Sequence, residues 1–366
     1  MPNHQGPLKG LTIIEFAGIG PGPYCGMLLA DLGAEVIQID RPAGATGAYG
    51  LDPTRDILNR GRRSVVLDLK NPDDVEKALK LIEGADAVIE ANRPGVAERL
   101  GFGPEVCLAR NPRLVYGRVT GWGQTGPLAQ APGHDVNYIA VAGALHILGR
   151  EGERPAIPAN FVGDMGGGGL LLAFGIACAI IEAKTSGKGQ VVDAAMIEGA
   201  ASQLAATLTM RAMGRFSEER GTNFSDGGSH FYEVYETADH KYLAVGCIEP
   251  AFYKAFCADA GLDDPEFKQQ MNPAAWPSLK AKTAARLATK TRDEWVEIFS
   301  PAACVSPVLS LSELEANPHL AERGTYLNDN GILQPAPVPK FSRTPGAVAS
   351  PPRALGADTE EILSRS

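Results

Sequence analysis

The chain offers few of the patterns that would place it in a specialised class. Its six cysteines (25, 107, 178, 247, 257 and 304) form no CxxC or CxH pair, which argues against a zinc site or a disulfide framework and suits a reducing compartment. Positive charge is not in excess. The net charge is -9, which argues against non-specific nucleic-acid binding, and any anionic ligand must be met by a local cluster of Arg and Lys. The longest apolar run, Leu170 to Ile181, is too short to span a bilayer and reads as a buried helix. The N-terminal MPNHQGPLKG lacks the apolar core of a signal peptide, and the C-terminal SRS is not a peroxisomal address. A soluble cytoplasmic protein with no membrane or nucleic-acid partner is expected. What remains is an ordinary globular composition, 44% hydrophobic and 21% charged, over 366 residues, enough for two domains.

The first two hundred residues alternate β-rich runs with helical patterns. LTIIEFAG (Leu11 to Gly18), EVIQID (Glu35 to Asp40), SVVLDL (Ser64 to Leu69), ADAVIEA and LVYGRVTG read as strands. Tyr24 to Leu32, closed by Gly33, and a segment entered at Asn71-Pro72 read as helices, Asn capping and Pro suiting the first turn. This βαβ rhythm predicts an α/β fold with a parallel sheet covered on both faces. Gly187 to Met196 adds a strand running into a helix, and Ala194 to Met213 is expected to be one long helix leaving the domain. Near Thr222 the character changes: FYEVYETADHKYLAVGCIE alternates like a hairpin turning at Ala238-Asp239-His240, and helical patterns fill Ala251 to Phe299. The expected division is a large domain over 1–195 and 325–366, a linker helix over 196–221 and a smaller α+β domain over 222–324. The Pro-rich QPAPVPKFSRTPGAVASPP reads as an extended strap across a surface.

The glycine cluster AGIGPGPYCG follows a strand and precedes a helix, which invites a dinucleotide reading. Gly18, Gly20, Gly22 and Gly26 do not give G-x-G-x-x-G, and Pro21 and Pro23 remove N–H donors that a pyrophosphate needs, so a tight strand-to-helix turn is the better account. Arg41, Arg60, Arg62, Arg63, Lys70 and Arg93 are each ordinary as surface cations. Several lie at or after strand C-termini, where open α/β sheets bind ligands, and together they would form a basic rim for a ligand with several phosphates, such as coenzyme A. Among six histidines only His134 combines a preceding Gly, a following carboxylate and a helix start. Alone it reads as a cap or core residue. Asp164, before four glycines and an apolar run, reads either as an N-cap or as a carboxylate held beside backbone N–H groups, with the glycines leaving room for a ligand. Glu249, before Pro250, reads by itself as a turn residue.

Together these segments go beyond spacing. GHDVNY, NFVGDMGGGG, LTIIEFAGIGPGPYCGMLLADLGAEVIQIDRP, GWGQTGP, SGKGQVVDAAM, DGGSHFY, VGCIEP and FSRTP resemble the α-methylacyl-CoA racemases of the family III CoA-transferase superfamily over nearly the whole chain. The resemblance implies a Rossmann-like large domain, a smaller α+β domain and an interlocked homodimer. It implies His134 and Asp164 as the two bases, Glu249 as partner of His134 and Asn160 as a supporting residue. It carries CoA contacts over to Arg41, to Leu67, Asp68, Leu69 and Lys70, to Arg93, and to Gly133, Asp135 and Tyr138 within the stretch Gly133 to Tyr138. No cofactor is implied beyond the CoA of the acyl-CoA thioester substrate. The expected reaction interconverts R and S epimers of 2-methylacyl-CoA by proton transfer through an enolate, with the Asp135 N–H facing the thioester oxygen. Two alternatives stand beside it. One is a CoA-transferase using Asp164 as the acyl-accepting nucleophile, against which a carboxylate in VGCIEPAFY, where that class carries glycines, and the His of GHDVNY both argue. The other is a CoA-ester binding protein without activity.

Overall fold

A computed structural model describes residues 5–42, 52–329 and 331–365. The chain divides into two compact units: Met1–Ala142, Pro158–Leu204 and Ala321–Ser366 form the first, Gly143–Ile157 and Ala205–Leu320 the second.

In the first unit the β-rich runs become strands and the amphipathic segments cover them. The order is β1 (Thr12–Phe16), α1 (Pro21–Asp31), β2 (Glu35–Asp40), β3 (Arg62–Val66), α2 (Pro72–Glu83), β4 (Ala87–Glu90), α3 (Val96–Arg99), α4 (Pro104–Arg110), β5 (Val115–Thr120) and α5 (Asp135–Val141). A π-helical stretch, Phe161–Leu170, then runs without a break into α6 (Leu171–Ser186), followed by β6 (Gln190–Ala195) and α7 (Met196–Ser202). The sheet has six strands in the order β3-β2-β1-β4-β5-β6, all pairs parallel. Strand order reverses between β1 and β4, the point at which open α/β sheets leave a crevice at strand C-termini. Because both faces are covered, adjacent residues such as Ile13 and Ile14 are equally buried, the reason these strands read as continuous apolar runs. One face packs Ile13, Val36, Ile89 and Val119 against Leu172 and Ile176 of α6, the other packs Ile14, Ile37, Val65 and Val88 against Leu79 and Phe102. Each such side chain contributes about 1.5–3 kcal/mol. The Asn71 side chain caps α2 through the Asp73 N–H at 3.0 Å, with Pro72 in its first turn, as expected.

Three members of the anticipated basic rim are spent inside this unit. Arg60 pairs with Asp31 at 2.6 Å, Arg62 with Glu15 at 3.1 Å and Arg63 with Asp358 at 3.4 Å, all in buried surroundings. Buried and paired around the start of β3, they are not available to a phosphate. Burial pushes the Glu15 carboxyl up to about 7 although Arg62 draws it down.

The second unit contains α8 (Ala205–Ala212), β7 (Tyr232–Glu236), β8 (Tyr242–Gly246), α9 (Pro250–Ala260), α10 (Trp276–Leu287), α11 (Arg292–Ile298) and β9 (Val305–Pro307). Strands β7-β8-β9 form an antiparallel sheet, and the hairpin turns at the expected place, where His240 takes a φ of 56°. Phe231, Leu243, Phe256, Leu279 and Trp295 make its core. The C-terminal segment adds the hairpin β10 (Tyr326–Asp329) and β11 (Ile332–Pro335) to the first unit, and the proline-rich stretch then crosses it extended. The Ser350 carbonyl accepts from the Gly61 N–H at 2.9 Å, and the Asp31 carbonyl from the Ala347 N–H at 2.9 Å.

Three helical expectations are corrected. Ala194 to Met213 is not one helix: β6 extends to Ala195, and α7 and α8 are separated at Gln203–Leu204. The apolar run Leu170–Ile181 is part of a helix from Phe161 to Ser186, whose 26 residues are long and apolar enough to cross a membrane by length and composition. It lies on the sheet, burying Leu172, Ile176 and Ile180 and exposing Phe174 and Ile181. The glycines Gly166 to Gly169, expected to leave room for a ligand, lie within that helix and bring it against its neighbours. A Cβ on Gly167 would stand 2.9 Å from the Ala200 nitrogen, and one on Gly169 2.6 Å from the Pro21 carbonyl oxygen. From the other side, a Cβ on Gly199 of α7 would stand 2.0 Å from the Gly167 carbonyl oxygen. The room that glycine provides is filled by backbone.

This contact predicts that Gly199→Ala loses about 3 kcal/mol or more of stability, the upper end of overpacking costs, because backbone cannot yield as a side chain does. Thermal unfolding measures it. A melting temperature within 1 °C or so of the parent would show that the two helices separate freely.

Candidate active site

A cleft of about 530 Å³ opens at the C-terminal ends of β1, β4 and β5, beside the reversal of strand order. Gly18, Ile19 and Gly20 line it after β1, Asn92 and Arg93 after β4, Gly121 and Trp122 after β5. Gly133, His134, Tyr138, Asn160, Asp164, Met165 and Met196 complete it. Beneath it, Arg118 of β5 binds Glu90 at 2.9 Å and Glu98 at 2.7 Å, tying β4, β5 and α3 together under the loop that carries Arg93.

Five of the six residues of GHDVNY have a local task. A Cβ on Gly133 would stand 2.7 Å from the Tyr138 ring and 3.2 Å from Trp122, so glycine is needed there. His134, extended at φ -132° and ψ 174°, occupies the N-cap of α5, and its own N–H donates to the Asn137 Oδ1 at 3.0 Å. Asp135 is buried, and its Oδ2 accepts from the N–H groups of Gly163 and Asp164, both at 2.7 Å. The Tyr138 ring packs edge-on against Trp122, centroids 4.9 Å apart, and its hydroxyl donates to the Gly133 carbonyl. Burial raises the Tyr138 phenol further above its ordinary range, helped by the charges of Asp164 and Asp135 and opposed by Arg93.

Asp164 does not cap its helix. The N-cap is Asn160, and Asp164 stands in the first π-helical turn, where the Met165 N–H reaches the Asn160 carbonyl at 3.2 Å. Its carboxyl group is raised above the ordinary aspartate value, first by burial and next by the Asp135 charge, while the Asn160 amide, 3.5 Å from Oδ2, and His134 draw it down. Gly20, at the N-cap of α1 with a φ of 68°, faces the same oxygen: a Cβ there would lie 3.3 Å from Oδ2.

The fold thus brings His134, Asp164, Asn160, Gly133, Tyr138 and Arg93 to one cleft, with Asp135 buried behind it. Arg41, after β2, and Asp68 and Lys70, after β3, are exposed at the same edge of the sheet but outside the cleft lining. Leu67 is in the core and Leu69 packs on it. Glu249 belongs to the second unit, exposed at the N-cap of α9. His230 is a core residue there, its Nε2 2.8 Å from the Tyr253 hydroxyl, and burial pulls it down to about 4. Among the described residues no group of three or more His, Cys, Asp or Glu could hold a metal ion, and the cysteines are free. Sequence reading passed over Trp122, Gly20 and Asp56 as cleft residues. A signal existed for one: Gly121, Gly123 and Gly126 around Trp122 have G-x-G-x-x-G spacing directly after β5, although no helix follows.

Comparison with known proteins places the chain in a family. The model of CoA-transferase family III matches residues 8–359. The chain is 43% identical over 360 residues to alpha-methylacyl-CoA racemase of Mus musculus, covering 97% of this chain and 92% of the relative. With the Homo sapiens protein of the same name it is 41% identical over 360 residues, again covering 97% and 92%. A crystal structure of a CaiB/BaiF family protein from Brucella suis superposes with a TM-score of 0.85 at 26% identity, covering 99% of each chain.

The closeness of Gly20 to Asp164 yields a prediction. Gly20→Ala is expected to fold with a loss of about 1–3 kcal/mol, the cost of a side chain in a sparsely populated backbone conformation (φ 68°, ψ -113°), and to lower turnover at least tenfold by displacing the Asp164 carboxyl. Unfolding and steady-state rates test this together. Full turnover in the folded variant would remove Gly20 from the site.

Proposed function

The chain belongs to CoA-transferase family III, closely related to the alpha-methylacyl-CoA racemases, and from that premise we propose that it interconverts the R and S epimers of 2-methylacyl-CoA thioesters. The observation that carries this reading is that His134 and Asp164, held by different elements, line one cleft. A proton alpha to a thioester is weakly acidic, so removal needs a base and stabilisation of the enolate oxygen. Neutral His134 takes the proton from the S epimer, and the Asp164 carboxylic acid returns one on the opposite face. In the other direction the Asp164 carboxylate is the base and the His134 imidazolium the acid. First-turn N–H groups have no acceptor within their helix, which leaves the Asp135 N–H to meet the enolate oxygen. Asn160 supports Asp164 through its amide. Glu249 is assigned to orient His134 and stabilise its charged form.

Arg41, Lys70 and Arg93 are the cations left exposed at the strand C-termini to meet the phosphates of CoA, flanked by Leu67, Asp68 and Leu69. Met165 and Met196 line the cleft and suit an apolar acyl group. The protein acts as a homodimer in this reading. Support comes from apolar side chains left open along the Phe161–Ser186 helix, with Phe161, Phe174 and Ile181 about two-thirds exposed (70%, 66% and 68%). Sedimentation equilibrium should return twice the chain mass of 38.6 kDa; a monomer at micromolar concentration would remove the dimer.

The reaction itself is tested in deuterated water. Either epimer should gain deuterium at the α-carbon as it epimerises, and His134→Ala and Asp164→Ala should each lose at least about a hundredfold in rate. CoA transfer to an added free acid without epimerisation would instead establish Asp164 as an acyl-accepting nucleophile.

The raised proton affinity of Asp164 gives the pH dependence a sign. The pair works with one proton shared between two bases. As pH falls, a second proton enters at Asp164 and activity is lost, at a pH above the ordinary aspartate value because burial favours the neutral acid. As pH rises, the shared proton leaves and activity falls again. A bell-shaped kcat/KM profile is expected, and a profile flat from pH 4 to 9 would contradict the two-base assignment.

A further inference from the structure

The Asp135 side chain is unusual for a residue needed only through its backbone. It is 5% exposed, yet it is a carboxylate. Oδ2 accepts two N–H groups, from Gly163 and Asp164, both at 2.7 Å, while Oδ1 is buried without a hydrogen-bond partner among the described residues. Satisfying a helix start needs one acceptor oxygen. A second oxygen buried bare is a cost that capping does not explain. The position is built around the group, since a Cβ on Gly163 would stand 2.6 Å from Oδ2.

Asp135 also follows His134 directly. One end of this residue is bonded to the first base, and the other end holds the backbone of the second. We propose that the Asp135 side chain is a positioning residue for the two-base pair: it fixes the backbone of Asp164 relative to His134 and sets a carboxylate beside the Asp164 carboxyl group, so that the shared proton is divided between the two bases. This rests on the two-base reading above.

Two negative groups side by side disfavour ionisation of the second, so the charge of Asp135 favours Asp164 as a neutral acid, the form that must return a proton. Other groups act on Asp164 as well. His134 and Tyr138 face it from α5, Asn160 from its own helix and the backbone of Gly20 from α1, while Arg93 and Asp56 stand in the same cleft. His134 and the Asn160 amide draw the proton away from Asp164. Asp135 is the carboxylate that acts on Asp164 in the opposite sense, and unlike His134 it does not take part in the transfer.

Asp135→Asn separates charge from anchoring, because the amide oxygen still accepts both N–H groups. The expected result is a folded enzyme whose acid limb of kcat/KM moves to lower pH while the alkaline limb shifts less. Asp135→Ser, which keeps an acceptor without charge, should shift the limb the same way if the Asn variant fails to fold. The Asp164 carboxyl is followed independently of turnover by carbon-13 NMR, with Asp164→Asn assigning the signal; its titration should move to lower pH in Asp135→Asn. An unmoved titration in the folded variant overturns the proposal and leaves Asp135 as a helix cap. Failure of the racemase reading would show differently, as absence of α-carbon deuteration in the parent protein, with the NMR titration still legible.

Discussion

The first unit depends on backbone meeting backbone. The helix that begins at Phe161 lies so close to α7 and to the start of α1 that Gly167, Gly169 and Gly199 have no space for a methyl group. Packing at this distance fixes a helix more tightly than interdigitated side chains, because there is no rotamer freedom to absorb a shift. Asp164 sits in the first turn of that helix, so its carboxyl group inherits the precision of the contact. The same closeness brings Gly20 to its Oδ2 and lets the Asp135 carboxylate reach two of its N–H groups.

Around that contact, charge is distributed by function. Two buried pairs tie this unit together: Arg60 with Asp31 joins the entry to β3 to α1, and Arg62 with Glu15 joins β3 to β1. Such pairs add little net stability, but losing one partner leaves an uncompensated buried charge, so they hold the strand order in place. At the other edge of the sheet the cations Arg41, Lys70 and Arg93 remain exposed. An acidic protein thereby gathers cations locally at one edge of its sheet.

Much of this was legible along the chain. The βαβ rhythm predicted the parallel sheet, because strands covered on both faces must be apolar throughout and the helices between them amphipathic. Asn71-Pro72 marked a helix start, and the turn at Ala238–His240 marked a hairpin, through local chemistry that needs no tertiary context. GHDVNY singled out His134 as the head of a helix. The errors have a common cause. Gly166 to Gly169 suggested open space, and Arg60, Arg62 and Arg63 suggested a ligand rim, because a sequence does not show what occupies the space beside a residue. The helix expected over Ala194 to Met213 breaks at Gln203 with no Gly or Pro to announce it.

The sequence by itself determined the element types and the residue kinds available for acid–base chemistry, since these follow from periodicity and side-chain identity. Only the tertiary structure decided that His134 and Asp164, thirty positions apart, share a cleft, and that Asp135 reaches from one to the other. It also decided which arginines are buried and which are free. The physical reason is that proximity between distant residues is set by how helices and strands pack, and here that packing is governed by the missing side chains of a few glycines.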